Sequence, residues 1–213
     1  PAAITAANQA AYSVAGTCSE NARTVSVQIG SVNATPTCTA GAWTTGSVDV
    51  SALADGTVSI TASHTDAVGN SGSASTTTTK DTAGPTLTIG TLSAISNANV
   101  GSYSFTGACE TLGSAVSFTL ISGATVSGSA SCTAGAYTAS SNASSLTDGA
   151  VSVSVTQTDA LSNSTTATGS TTKDTVNPTV VITAPAAITS ANRAAYSVSG
   201  TCSENTRAVT VSI

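Results

Sequence analysis

Cysteine is the residue type in this chain with the widest range of chemistry, and its spacing is regular. The five cysteines are Cys18, Cys38, Cys109, Cys132 and Cys202. Thiols can bind metals, take part in redox exchange or form structural disulfides. The separation within each of the first two pairs is about 20 residues, unlike the close Cys-x-x-Cys pairs of zinc sites. Structural disulfides therefore fit better than a metal or redox site, and they indicate an oxidising, extracytoplasmic location.

Side chains that carry oxygen form a second candidate site. Its members are Asp81, Glu110, Asp159 and Asn163. If the fold brings them together, three carboxylates with backbone carbonyls and water could hold Ca²⁺, which takes six to eight oxygens. The alternative is that Asp159 and Asn163 close a tight turn through side-chain hydrogen bonds, with Asp81 paired to neighbouring Lys80. Which of the two applies depends on the elements that position these residues.

Near-identical segments recur along the chain. Residues 1–29 return almost unchanged at 185–213, and a diverged copy lies between them. Tyr12, Tyr103 and Tyr196 mark the same position, so the period is about 92 residues. That is the size of one small β-sandwich domain. Tandem copies of one module are typical of arrays that build length or multiply weak contacts, since an enzyme usually concentrates its chemistry in one site.

The period divides the chain into three copies of unequal completeness. We expect repeat 1 at residues 1–82 without its first strand, a complete repeat 2 at 83–175, and only the N-terminal part of repeat 3 at 176–213. Either the segment is an excerpt of a longer fibre, or segments complete one another head to tail by strand addition. We favour the excerpt, because adding residues 179–183 alone would leave 196–213 unhoused. The partner of Cys202 is then expected outside the chain.

Short apolar and Ser/Thr alternations in repeat 2 predict seven strands. They lie at residues 85–91, 102–109, 115–121, 124–132, 136–140 and 151–155, with a last strand ending at Lys173. Frequent turn signals and the lack of an amphipathic helix indicate an immunoglobulin-like sandwich. A β-solenoid would need a period of about 20–30 residues. The predicted fold class is all-β, with tandem immunoglobulin-like β-sandwich domains of about 92 residues arranged end to end.

Strand polarity places the cysteines. Because successive strands run in alternate directions, the loops after strands two and four and the last hairpin share the pole where a domain begins. Cys109 ends strand two and Cys132 ends strand four, and Cys18 and Cys38 obey the same rule. We therefore predict the disulfides Cys18–Cys38 and Cys109–Cys132. Closing a loop of this length contributes about 3 kcal/mol to stability.

The same polarity gathers the acidic residues. Glu110, Asp159 and Asn163 fall at the leading pole of repeat 2, and Asp81 lies in the linker that enters it. The equivalent set at the next junction begins with Asp174 and Glu204. Any calcium site of this chain is therefore expected between repeats.

Composition excludes several classes of function. The net charge is −5 with five Lys and Arg residues, which argues against nucleic acid or an anionic membrane surface as a partner. No apolar run approaches the roughly 18 residues of a membrane-spanning helix. His64 is the only histidine, and Gln157 stands at its position in repeat 2. The repeats therefore share no catalytic set of nucleophile, general base and orienting residue, and we expect no enzyme activity.

Three motifs recur in a fixed order: Leu-x-Asp-Gly before a Val-x-Val or similar strand, Thr-Asp-Ala-x-x-Asn, and Lys-Asp-Thr-x-x-Pro. They occupy residues 53–56, 65–70 and 80–85, and again 146–149, 158–163 and 173–178. This combination resembles the bacterial immunoglobulin-like tandem repeats of giant surface adhesins and extracellular fibre proteins. The resemblance implies a stalk at the bacterial cell surface, with calcium stiffening the junctions in several relatives. This chain departs from the pattern in its cysteine pairs and its few acids.

Two functions follow from these observations. The first is a non-catalytic spacer, stalk or fibre whose partners are neighbouring repeats or copies of itself in a filament. The alternative is a ligand-binding adhesin module for carbohydrate or a host or cell-surface ligand, acting through exposed Ser/Thr faces or Trp43. Trp43 and Tyr137 share one slot in the repeat. A core aromatic near the disulfide fits the spacer, whereas an exposed stacking platform fits the binding module.

Overall fold

Strands that alternate small apolar residues with Ser and Thr build the molecule, and the computed structural model describes residues 1–213. Repeat 1 contains β1 (Ala15–Thr17), β2 (Val25–Ile29), β3 (Val32–Ala34), β4 (Ala42–Thr44), β5 (Gly56–Thr65) and β6 (Ser71–Lys80). Repeat 2 contains β7 (Tyr103–Ala108), β8 (Val116–Ser122), β9 (Ala124–Ala130), β10 (Ala136–Ser141), β11 (Gly149–Thr158) and β12 (Ser164–Lys173). Repeat 3 contains β13 (Val180–Ile182) and β14 (Gly200–Cys202). The prediction of an all-β chain is confirmed.

Helical structure is limited to two single 3-10 turns, Gln9–Ala11 and Val100–Ser102. Each turn leads into the second strand position of its repeat. The molecule has no helix with the length and apolar character needed to cross a membrane.

Repeats 1 and 2 share one topology. In repeat 2 a four-stranded sheet with the order β12-β11-β8-β9 accompanies the pair β10-β7. In repeat 1 the order β6-β5-β2-β3 accompanies the pair β4-β1, so equivalent strands have equivalent neighbours. All these ladders are antiparallel, and β11 and β12 pair along their whole length. This is the arrangement of an immunoglobulin-like sandwich.

Each sandwich has its own hydrophobic core. Sixteen buried residues form the core of repeat 2 and eleven form that of repeat 1. The centre of the repeat 2 core is Phe105, which makes edge-to-face contacts with Phe118 at 5.7 Å and with Tyr137 at 6.3 Å between ring centroids.

The predicted first strand of repeat 2 is an extended edge segment rather than a regular ladder. Thr88 donates its backbone N–H to the carbonyl of Ala108 at 3.0 Å, and Gly90 donates to Thr106 at 2.8 Å. In a regular antiparallel ladder the N–H of Ala108 would donate back to the carbonyl of Thr88. Here the Ala108 N–H donates to the Thr88 hydroxyl at 3.1 Å, and the Thr88 carbonyl accepts from the hydroxyl of Tyr137 at 3.0 Å. Side chains therefore replace two main-chain partners.

Repeat 3 consists of one three-residue ladder between β13 and β14. Val180, Val181 and Ile182 are all exposed, because no second sheet covers this ladder.

Candidate junction site between the repeats

The Asp-Gly turn and the Lys-Asp-Thr segment, which recur together in the sequence, are in contact. Asp55 accepts hydrogen bonds at 3.1 Å from both the backbone N–H and the hydroxyl of Thr82. The buried ammonium of Lys80 lies 3.2 Å from the same carboxylate. The bond from the Thr82 backbone, with a further contribution from Lys80, holds the pKa of Asp55 below its usual value. The start of the first linker is thereby fastened to repeat 1.

Repeat 2 contains the same arrangement. Asp148 accepts from the backbone N–H and hydroxyl of Thr175 at 3.0 Å, and Lys173 lies 3.6 Å away. The Thr175 backbone bond is the main cause of the lowered pKa of Asp148. The ammonium of Lys173 also donates to the carbonyls of Ser144 and Leu146. The two linkers therefore leave their repeats in the same way, which explains why the two motifs recur together.

The hairpin between β11 and β12 contacts repeat 1. The side-chain amide of Asn163 donates to the backbone carbonyl of Asp81 at 3.0 Å. Its oxygen accepts from the backbone N–H of Ala6 at 3.3 Å. Asn163 is only 5% exposed, and its side chain bonds two backbone groups of repeat 1 through partly buried hydrogen bonds. These bonds restrict how repeat 2 can turn relative to repeat 1.

Asp159 holds Asn163 in position. Its carboxylate accepts from the backbone N–H groups of Leu161 at 2.8 Å and Asn163 at 2.9 Å, and from the Asn163 side-chain amide at 2.9 Å. Burial alone would raise the pKa of Asp159, but these hydrogen bonds outweigh it and the pKa lies below its usual value. The turn is therefore formed independently of the contact with repeat 1, and Asp66 and Asn70 form the same turn in repeat 1.

The linker also packs directly on this hairpin. A Cβ atom built on Gly84 would lie 2.5 Å from the hydroxyl of Thr165 and 2.9 Å from the carbonyl oxygen of Ser164. Only glycine permits this approach of the linker to the start of β12. Pro85 follows it and is buried, and its ring fixes φ. The five-residue linker, residues 81–85, is thus held from both sides.

The four residues expected to bind calcium lie at this junction but make other bonds. Asp81 accepts from the backbone N–H of Ala83 at 3.1 Å, and Glu110 accepts from that of Thr86 at 3.3 Å. Asp159 and Asn163 close the turn described above, which is the alternative to a calcium site. No group of three or more His, Cys, Asp or Glu side chains that could hold a metal ion is present.

One further expectation at the first junction is corrected. Asp81 does not pair with Lys80, because Lys80 bonds Asp55 instead. At the second junction, Asp174 accepts from the backbone N–H of Val176 at 3.0 Å, and Glu204 pairs with Arg207 at 3.7 Å. The second linker is bonded by Asn97, whose amide donates at 2.7 Å to the carbonyl of Thr175 and to the side chain of Asn177.

Disulfides join Cys18 to Cys38 and Cys109 to Cys132, each with a Cα–Cα distance of 6.0 Å. These are the pairs that strand polarity predicts. Cys202 is a free, exposed thiol. Each bridge ties the loop after the second strand to the turn after the fourth, at the leading pole of its repeat.

Gln157 is a structural residue of this pole that the sequence did not single out. Its side-chain amide donates to the carbonyls of Glu110 at 2.8 Å and Ser114 at 2.9 Å, and its oxygen accepts from the N–H of Glu110 at 2.9 Å. It is fully buried and ties the loop after Cys109 to the end of β11. Its inward parity with Val155 is the signal that could have found it. His64 occupies this position in repeat 1 and lies 3.2 Å from the carbonyl of Thr24.

The shared aromatic slot is buried in both repeats. Trp43 is 9% exposed and Tyr137 is 2% exposed, and both belong to the hydrophobic cores. The indole N–H of Trp43 donates to the carbonyl of Thr17 at 3.2 Å, whereas the hydroxyl of Tyr137 reaches Thr88. The interpretation of these rings as core aromatics is confirmed.

Comparison with known proteins gives matches among solved structures only, since no protein-family model and no characterised protein matches the chain. One match is the Ca²⁺-stabilised adhesin that helps an Antarctic bacterium to reach out and bind ice, with 26% identity and a TM-score of 0.55 over 86% of this chain and 49% of that chain. Another is a 1.5-MDa bacterial ice-binding adhesin described for its retention at the host cell surface, with 25% identity and a TM-score of 0.54 over 82% of this chain and 61% of that chain.

The chain therefore spans about half of the first of these structures and less than two thirds of the second. The chain is similar in fold and in sequence to repeat domains of bacterial adhesins, as its recurring motifs indicate.

Proposed function

We propose that this chain is a run of non-catalytic spacer repeats in the stalk of a bacterial surface adhesin. Its partners are the neighbouring repeats, and its location is extracellular, at the bacterial cell surface. The similarity to adhesin repeat domains and the recurrence of one module support the proposal. Disulfides within repeats 1 and 2 fit an oxidising compartment.

The observation that carries the proposal is the pair of hydrogen bonds from the side chain of Asn163 to the backbone of Asp81 and Ala6. A spacer must transmit position from one repeat to the next, so its domains need a defined orientation. The five-residue linker leaves little freedom, and hydrogen bonds from repeat 2 to the backbone of repeat 1 remove more of it. Such a junction keeps successive repeats in line rather than folded back on each other.

The burial of Trp43 and Tyr137 favours the spacer over a carbohydrate-binding module. An aromatic platform stacks on a sugar only if its ring face is open to solvent, and both rings lie within the cores. If the alternative holds, glycan binding should quench or shift the fluorescence of Trp43, the single tryptophan of the chain.

We further propose that hydrogen bonds set the first junction without a requirement for calcium. The ice-binding adhesin of the Antarctic bacterium is described as Ca²⁺-stabilised. In this chain the junction carboxylates of Asp81, Glu110 and Asp159 each accept from backbone N–H groups, and no three acidic side chains converge on one point. Thermal unfolding in 5 mM CaCl₂ and in EDTA tests this point, and equal midpoints are expected. A large rise in the midpoint with calcium would contradict it.

Small-angle X-ray scattering tests the spacer proposal. A compact 213-residue protein has a radius of gyration of about 17 Å. We expect a value well above this, with a distance distribution that tails to long distances. A radius near 17 Å would show that the repeats fold back on each other and would refute the spacer role.

A further inference from the structure

The molecule has two parallel pairings, and each joins the first segment of a repeat to the last strand of the same repeat. In repeat 2, Ile95 donates its backbone N–H to the carbonyl of Thr172 at 2.8 Å, and its own carbonyl accepts from the N–H of Asp174 at 2.9 Å. All strand ladders of the molecule are antiparallel by contrast. The first segment, residues 85–95, is therefore fastened to the end of β12, where the outgoing linker begins.

Side chains reinforce this pairing. The hydroxyl of Thr171 donates to the carbonyl of Ser93 at 2.8 Å, and the same carbonyl accepts from the hydroxyl of Tyr103 at 2.9 Å. The side chain of Ile95 is fully buried in the core of repeat 2. Backbone bonds, side-chain bonds and core packing thus hold the first segment at one place. We call this contact of residues 93–95 with residues 171–174 the clamp.

Repeat 1 has the same clamp. Ile4 donates to the carbonyl of Thr79 and accepts from the backbone N–H of Asp81, both at 2.9 Å. The hydroxyl of Thr78 donates to the carbonyl of Ala2 at 2.8 Å. These five residues stand at the positions of the clamp residues of repeat 2 and make the same bonds. The clamp is therefore a property of the module and not of one copy.

Tension along a stalk reaches repeat 2 at two opposite poles. It enters through the linker at residues 81–85, which packs on the hairpin before β12 at the leading pole. It leaves through the linker that begins at Asp174, at the opposite, trailing pole, where Thr175 bonds Asp148. The first segment and β12 both run from the leading to the trailing pole, as their parallel pairing requires. Tension therefore slides the two past each other.

This direction of pulling loads the clamp in shear. The backbone bonds of Ile95 and the bond from Thr171 to Ser93 resist the sliding together, so they must break at the same time. If the two segments were instead pulled apart from one pole, the same bonds would open one after another. A parallel pairing between the incoming and outgoing segments is thus the arrangement that resists tension between the ends of a repeat.

The disulfide between Cys109 and Cys132 lies behind the clamp and shortens the path of tension. It closes a loop with a sequence separation of 23 that contains β8 and β9, half of the four-stranded sheet. Once the clamp has opened, tension passes along residues 85–109, crosses the disulfide and continues along 132–173. The enclosed strands cannot extend, which withholds about 75 Å of chain at about 3.5 Å per residue.

We propose that repeats 1 and 2 are tension-bearing units, in which the clamp resists unfolding under load and the disulfide limits the extension that follows. The inference deepens the proposed stalk role and rests on it, because a stalk carries tension between its two ends. Core residues Phe118 and Leu120 lie inside the closed loop of repeat 2, so the disulfide keeps them together after the clamp has opened. Reduction of the disulfides converts each repeat into a longer and less restricted tether.

Single-molecule force spectroscopy on the full chain tests the direction of pulling. Handles at residues 83 and 176, both exposed, load repeat 2 alone and shear its clamp. Handles at residues 97 and 176, also exposed, pull the first segment and β12 apart from the trailing pole. We expect the first geometry to need roughly twice the unfolding force or more, because several hydrogen bonds share the load. Equal forces in the two geometries would overturn the inference.

A pair of matched substitutions tests the clamp itself. With handles at 83 and 176, Thr171→Val removes the bond to Ser93 and should raise the rate of forced unfolding about fivefold. Thr166→Val, on the same strand, removes a hydroxyl bond to Thr156 of β11 and should leave that rate unchanged. Thermal unfolding of both variants separates a mechanical effect from a general loss of stability. Equal unfolding rates for the two variants would contradict the clamp.

A thiol reductant tests the limit on extension without a variant. Force should first open the oxidised repeat, which exposes the disulfide to the solvent. With reductant present, a second step of about 75 Å should then follow as the bond between Cys109 and Cys132 is cleaved. The step should be missing without reductant. Release of the full length in one step without reductant would show that tension does not cross the disulfide and would overturn this part of the inference.

The stalk role and the clamp fail in different experiments. A radius of gyration near the compact value of about 17 Å would refute the stalk role and with it the load that the clamp is proposed to bear. An elongated particle whose repeat 2 unfolds at the same force in both geometries would remove the clamp and leave the stalk role intact.

Discussion

The side-chain amide of Asn163 in repeat 2 donates a hydrogen bond to the backbone carbonyl of Asp81 in the linker, at 3.0 Å. Asn70 occupies the equivalent position of repeat 1, makes the same bonds within its turn, and is exposed. The two asparagines therefore differ in one respect, which is the contact with a preceding repeat.

Replacement of Asn163 by alanine should destabilise the protein more than replacement of Asn70. Both variants lose the turn bond to an aspartate, but Asn163→Ala also leaves the Asp81 carbonyl and the Ala6 N–H without partners. We expect an additional loss of about 1–2 kcal/mol in the free energy of unfolding, measured by chemical denaturation. Equal losses for the two variants would show that the junction bonds contribute nothing.

Acid should destabilise the fold through its hydrogen-bonded aspartates. The pKa values of Asp55, Asp66, Asp148 and Asp159 lie below 3.8, mainly because their carboxylates accept hydrogen bonds. A folded-state pKa below the unfolded one stabilises the fold above the unfolded pKa, near 4, and this contribution is lost as pH falls through the folded-state values. We expect a melting temperature that is nearly constant from pH 7 to 5 and falls below pH 4.

The variant Asp148→Asn isolates one of these groups. It should have a lower melting temperature than the unmodified chain at pH 7, because the buried ammonium of Lys173 loses its carboxylate partner. Its melting temperature should then fall less steeply in acid. A variant curve parallel to that of the unmodified chain would exclude Asp148 as a source of the acid sensitivity.

Removal of the repeat 2 disulfide should have a large effect. The double variant Cys109→Ser/Cys132→Ser opens a loop spanning 23 residues, which should cost about 3 kcal/mol and lower the melting temperature of repeat 2 by about 10 °C or more. Cys202→Ser is the matched control and should change nothing, because that thiol is free and exposed. Peptide mapping that joined Cys18 to Cys109 would contradict the pairing.

Much of the fold can be predicted from the sequence because its strands are simple. Alternation of Val with Ser predicts β11. The Asp-Gly turn before it and the Asp159–Asn163 turn after it delimit the strand, which pairs with β12 along its whole length. The cysteine pairs follow from strand polarity alone, because alternating strand directions place Cys109 and Cys132 at the same pole of repeat 2.

The junction is harder to predict because its bonds join side chains to backbone groups far away in sequence. Strand polarity predicts that Asn163 lies near Asp81. It does not predict that the Asn163 amide bonds the backbone carbonyl of Asp81 rather than its carboxylate. Adjacency in the sequence pointed to Asp81 as the partner of Lys80, whereas the fold brings Asp55, 25 residues earlier, to the end of β6. The parity of Gln157 with Val155 places its side chain inward, but the backbone groups of Glu110 and Ser114 that it bonds lie more than 40 residues away and do not follow from that parity.

The proposed spacer role requires that hydrogen bonds between repeats 1 and 2 fix their relative orientation. Residual dipolar couplings of backbone amides measure this orientation directly in a protein of 20.4 kDa. We expect one alignment tensor to fit both repeats, with or without calcium, and two different tensors to be needed for Asn163→Ala. Two clearly different tensors in the unmodified chain would show that the repeats move independently and would contradict the account.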